Sequence, residues 1–152
     1  QIKGRLFMKI KIYFLPVALS TIAMVSGCAN VTTGKQYSGF EGKPEKICVI
    51  NNRKTKLNQF RNAMIHSLTK RGIAYSIVDK ASDCHDTPYS LEYVARRSWD
   101  LTTYLGSVEL RLMKNGKLVS QANYKAGSMT LTKWGSTEER IDGAFAKLLG
   151  EN

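Results

Sequence analysis

Apolar and polar positions along the chain change period several times, and each change marks an element. Residues 46–50, "KICVI", form a short apolar run that suits a buried strand. Leu57, Phe60, Met64 and Leu68 then recur at spacings of three and four, which puts them on one face of a helix. Lys56, Arg61, Asn62 and Lys70 take the opposite face, and Gly72 supplies a stop. A second apolar run, "IAYSIV" at 73–78, reads as a strand, and the polar stretch 79–88 as a loop. Residues 90–98 alternate moderately. Residues 104–113 alternate cleanly, with Val108, Leu110 and Leu112 on one side and Ser107, Glu109 and Arg111 on the other. Asn115-Gly116 is a strong hairpin turn signal, followed by a returning strand over 118–126. Ser136 and Glu139 stand as a capping box ahead of Ile141, Ala144, Phe145, Leu148 and Leu149, a second helical stripe that Gly150 closes.

The resulting order is β-α-β-β-β-β-α. A helix between the first two strands makes them parallel through a right-handed crossover, while the hairpin-linked strands are antiparallel. Two amphipathic helices and a sheet with one polar face predict an α+β fold. The expectation is a two-layer α/β sandwich, with a mixed sheet and both helices on one side. The uncovered side would carry Glu109, Arg111 and Gln121.

Upstream of residue 45 the pattern is different. The chain opens on Gln1, and Met8 reads as the natural start, which leaves residues 1–7 upstream of it. Lys9 and Lys11 precede a run of mostly apolar residues interrupted by Pro16 and too short to span a bilayer as a helix. A positive region, an apolar region and small residues mark a secretory signal over 8–27. Val25-Ser26-Gly27-Cys28 resembles the bacterial lipobox, aliphatic–small–Gly–Cys, whose cysteine receives a diacylglycerol and a further acyl chain. Cys28 is thus the expected lipidation site, and several acyl chains give stable membrane attachment. In lipoproteins of this kind, a residue other than Asp after the cysteine, here Ala29, implies the outer membrane, periplasmic face. Residues 28–44, rich in Gly, Thr and Ser, read as acylated cysteine and flexible tether, and residues 45–152 as one periplasmic αβ domain.

With Cys28 lipidated, Cys48 and Cys84 remain as a pair in an oxidising compartment, where a structural disulfide is the expectation. A redox-active pair would more often show C-x-x-C spacing, which is lacking.

The net charge is +11, of which four positive charges precede Cys28, leaving +7 on residues 28–152. A basic domain at a membrane attracts anionic head groups, anionic glycans or acidic proteins. Nucleic acid is set aside by the secretory signal. Arg53, Lys54, Lys56, Arg61 and Lys70 form the basic surface candidate, against the plainer reading of a solvated helix face. No nucleophile–base pair, G-x-S-x-G elbow, P-loop or zinc spacing occurs. Of the two histidines, His66 has no evident partner, and His85 lies between Asp83 and Asp86 in a loop without further ligands. The reading is no enzyme, no metal and no cofactor.

Trp99, Asp100 and Tyr104 are the other candidate. Either Trp99 plugs one end of the core while Asp100 caps a turn, the usual fate of a tryptophan, or the three form an exposed anchor for a partner. Trp134 would pack as a staple ahead of the last helix. Residues 98–124, from the Trp99-Asp100-Leu101 segment through the Asn-Gly hairpin, resemble a family of small uncharacterised proteobacterial outer-membrane lipoproteins. Cys48 in "CVIN" and Cys84 before the third strand match that pattern too. The resemblance implies a lipoprotein and assigns no activity. More loosely, the layout is similar to periplasmic αβ domains that help assemble outer-membrane machines. The function expected is a non-catalytic binding or adaptor module for an envelope protein complex. The alternative is binding of an anionic envelope ligand, such as lipopolysaccharide, phospholipid or peptidoglycan, through the basic helix.

Overall fold

In a computed structural model, residues 30–55, 58–127 and 135–151 are described. The elements are β1 (Val31–Gln36), β2 (Lys46–Ile50), α1 (Asn58–Lys70), β3 (Ala74–Val78), β4 (Tyr89–Asp100), β5 (Thr102–Lys114), β6 (Lys117–Lys125) and α2 (Thr137–Leu148). One sheet runs in the order β1-β6-β5-β4-β2-β3. β2 lies parallel to both β3 and β4, and the remaining pairs are antiparallel. The α+β class, the mixed sheet and the order of elements from β2 onward are as expected.

The helical stripes do what their spacing dictates. Phe60, Met64 and Leu68 of α1 are buried together with Ile141, Phe145 and Leu148 of α2. They meet the inward residues of the sheet, Ile47, Val49, Leu91, Leu110 and Leu112. Each such side chain contributes about 1.5–3 kcal/mol through burial. α2 packs over β1, β5 and β6, and α1 packs against α2 and β3, so both helices share one side. Ser136 Oγ accepts from the Glu139 amide at 3.4 Å, which closes the N-terminal half of the capping box. Asn115 and Gly116 both have positive φ, the type I′ geometry that matches strand twist.

The tether is corrected. Residues 31–36 form edge strand β1, paired with β6 over six residues. Gly34 lies directly beneath α2, where a Cβ would come within 2.6 Å of the Lys147 carbonyl oxygen. Gln36 donates to that same carbonyl at 2.7 Å. Beyond β1, Phe40 packs half-buried on the core, Glu41 pairs with Lys114 at 2.5 Å, and Lys43 donates to the Arg71 carbonyl at 2.9 Å. Residues 31–44 are therefore part of the domain. Their composition resembles a linker because β1 is an exposed edge strand with little apolar surface to bury.

Cys48 and Cys84 are bonded, with Cα atoms 5.8 Å apart. Cys48 alternates with the core residues Ile47 and Val49, so its side chain leaves β2 on the face away from the helices. The chain leaves β2 through α1 to reach β3, then crosses back to β4 on the other side of β2, and Cys84 lies on that return path.

Candidate docking site

β4 and β5 are the longest strands, and they outrun the core. Leu91, Tyr93 and Ala95 on β4, and Leu105, Val108, Leu110 and Leu112 on β5, are buried. The register shifts between Arg96 and Arg97, opposite Gly106. A Cβ at Gly106 would fall 2.1 Å from Ser98 Oγ, so glycine there lets the two strands stay in contact through the bulge. Past the bulge, Arg96, Arg97, Ser98, Trp99, Leu101, Thr102 and Thr103 are all exposed. Trp99 is 74% exposed and Leu101 83%.

Burial of Trp99 as a core plug is thereby overturned: the last buried positions of the hairpin are Ala95 and Leu105, and Trp99 lies beyond them. Asp100 and Tyr104 are half-buried and engaged within the fold, so the exposed apolar pair is Trp99 with Leu101. Leu101 occupies the left-handed region at φ 58°, a conformation that costs a residue with a Cβ about 1–2 kcal/mol.

The basic residues do not combine as expected. Arg53 sits in the turn after β2, and its Nη2 lies 2.8 Å from Asp79 Oδ2. Hydrogen bonds from Arg53 and then Asn51 hold the Asp79 carboxyl below its ordinary range. Lys70 pairs with Asp142 at 2.9 Å. Arg61 is exposed on α1, while Lys56 lies outside the described residues, as do Cys28, Trp134 and Leu57. His66 has a partner that its sequence neighbours gave no sign of, Glu138 of α2 at 3.1 Å. On the uncovered sheet face, Arg111 pairs with Glu92 at 3.6 Å and Gln121 donates to Glu109 at 3.4 Å, which leaves a mixed-charge surface. Among the described residues, no three His, Cys, Asp or Glu side chains converge as metal ligands, and no helix is long and apolar enough to cross a membrane.

Together the described residues form a two-layer sandwich with a protruding hairpin whose tip is apolar. No family model matches the chain, and no curated protein sequence does. Solved structures do share the fold. PelC from Paraburkholderia phytofirmans, as the dodecamer of a leucine-to-methionine variant, superposes with a TM-score of 0.55 at 14% identity, over 79% of this chain and 97% of that one. A second PelC dodecamer from the same organism gives 0.53 at 16% identity, over 78% and 98%. A minor lipoprotein from Acinetobacter baumannii superposes at only 0.34, with 17% identity over 64% and 82%.

Proposed function

We propose that this chain is a lipid-anchored envelope protein, held at the periplasmic face of the outer membrane through Cys28. It acts there as a non-catalytic binding or adaptor module for an envelope protein complex. The observation that carries the reading is the pair Trp99 and Leu101, exposed at the end of a hairpin that extends past the core. Aromatic residues are enriched at interface hot spots. Leu101 is strained and buries almost nothing in the isolated chain. Strain of this kind collects at sites whose purpose lies in a bound state. The lipobox around Cys28 supports the anchor. The fold likeness to PelC, a protein solved as a dodecamer, favours a complex that includes further copies of the same chain.

Cross-linking mass spectrometry on intact cells tests the reading. Reproducible links from residues 98–104 to one envelope protein are expected, and their loss in Trp99→Ala. Links that persist unchanged in that variant would refute docking through the tip. Because Trp99 is so exposed, its truncation should change unfolding free energy by less than about 0.5 kcal/mol. Leu101→Gly should hold stability or raise it by up to about 1 kcal/mol, since glycine adopts positive φ without a Cβ clash. The same substitution should weaken the cross-link. A parallel loss of stability and binding would mean the leucine supports the fold and not the contact.

The anchor has its own test. Cys28→Ala should abolish fatty-acid labelling and release the protein from the membrane fraction, and labelling that survives the substitution would exclude acylation at this position.

A further inference from the structure

A cavity of about 520 Å³ lies beside the turn end of the β4–β5 hairpin, between it and the starts of α1 and α2. Its polar lining includes Gln59, Arg97, Thr102, Thr103 and Thr137. No carboxylate is among the described residues that line it, whereas the crevice beside Arg53 carries Asp79, Glu92 and Glu109, and the two grooves beside His66 carry Glu138. Arg97 makes no ion pair with any described residue. α1 begins at this cavity with no acidic residue in its first turn, so the positive end of that helix adds to the field of Arg97.

We infer that this cavity binds a phosphate group, with the Arg97 guanidinium and the hydroxyls of Thr103 and Thr137 as its donors. A tetrahedral oxyanion accepts from several directions at once, and a guanidinium fork matches two of its oxygens. The volume exceeds that of inorganic phosphate alone, so a phosphate ester fits as well. The inference goes beyond docking through the tip: the cavity adjoins that tip, with Trp99 paired in register with Thr103, but neither Trp99 nor Leu101 lines it.

The test is a nitrogen–proton correlation titration of the full chain in zwitterionic detergent with inorganic phosphate. Saturable shifts are expected at the amides of Gln59, Thr102, Thr103 and Thr137. Arg97→Ala should weaken binding by about tenfold, the loss of one charge-assisted contact. Arg61→Ala, equally cationic and outside the lining, should leave it unchanged. Absence of saturation, or equal weakening by the two substitutions, overturns the site. Bicelles of phosphatidylcholine with and without phosphatidylglycerol then separate the sources. Arg97-dependent shifts that appear only with phosphatidylglycerol assign the ligand to a lipid head group, and shifts with dissolved phosphate alone assign it to a soluble ester. Trp99→Ala should lose its cross-links while keeping the phosphate shifts, which distinguishes failure of one site from failure of the other.

Discussion

Breaking the Cys48–Cys84 bond should lower the unfolding free energy by about 3–4 kcal/mol, the loop-closure contribution for a 36-residue separation. The placement of the bond adds a directional expectation. β2 meets β4 over only two registered pairs, Cys48 with Ser90 and Val49 with Leu91, whereas β4 and β5 are paired along nearly their whole length. The junction of β2 and β4 is therefore a seam. It separates a β2–α1–β3 half from a half made of β4, β5, β6, β1 and α2. The disulfide ties the segment leading into β4 back onto β2 across that seam. Urea unfolding with and without reductant, and with Cys48→Ser/Cys84→Ser, should give the same loss. Hydrogen exchange should show α1, β2 and β3 amides losing protection before those of β5 and β6. Uniform loss across the sheet would mean that the bond acts only through the unfolded chain.

Much of this architecture is legible in the sequence, because burial imposes periods. The stripes of Phe60, Met64 and Leu68, and of Ile141, Phe145 and Leu148, mark helices that a core must cover. Asn115-Gly116 identifies one hairpin because both residues tolerate positive φ. The other hairpin escapes the same test. Its turn centres on Leu101, a residue type that gives no turn signal, so the connection reads as irregular and Trp99 reads as core. β1 escapes for the opposite reason: a short, exposed edge strand needs no apolar alternation, and its defining contact is the approach of Gly34 to Lys147 across the fold. The candidate site was legible only in part. Exposure of Trp99 depends on β4 and β5 outrunning the helices, a matter of relative lengths that no local pattern encodes. Neutralisation of Arg53 and Lys70 depends on Asp79 and Asp142, which are remote in sequence.

On the helix side, the same seam is held by charge. Arg71, at the end of α1, has a side chain only 9% exposed and pairs with Asp142 of α2 and, at 2.9 Å, with Glu151. Ser67 Oγ donates to Asp142 Oδ1 at 3.1 Å and Lys70 to Oδ2 at 2.9 Å. Burial alone would push the Asp142 carboxyl up. Hydrogen bonds from Arg71, Lys70 and Ser67, with the Arg71 charge, overcome that and bring it down to about 2. A carboxyl depressed from 3.8 to about 2 on folding contributes about 2 kcal/mol of stability. The sign follows from proton uptake: the unfolded chain protonates this group first as pH falls. The contribution is therefore complete above the unfolded value, declines as pH drops from about 4 towards about 2, and is absent below both. Asp142→Ala should cost about 2–3 kcal/mol at neutral pH, because it leaves the largely buried Arg71 guanidinium facing Glu151 alone. It should also flatten the decline of stability between pH 4 and 2 relative to the parent. A double-mutant cycle with Arg71→Ala, followed by urea unfolding at several pH values, isolates the pair. Coupling that vanishes at neutral pH would show that packing of α1 on α2, and not this charge cluster, closes the seam.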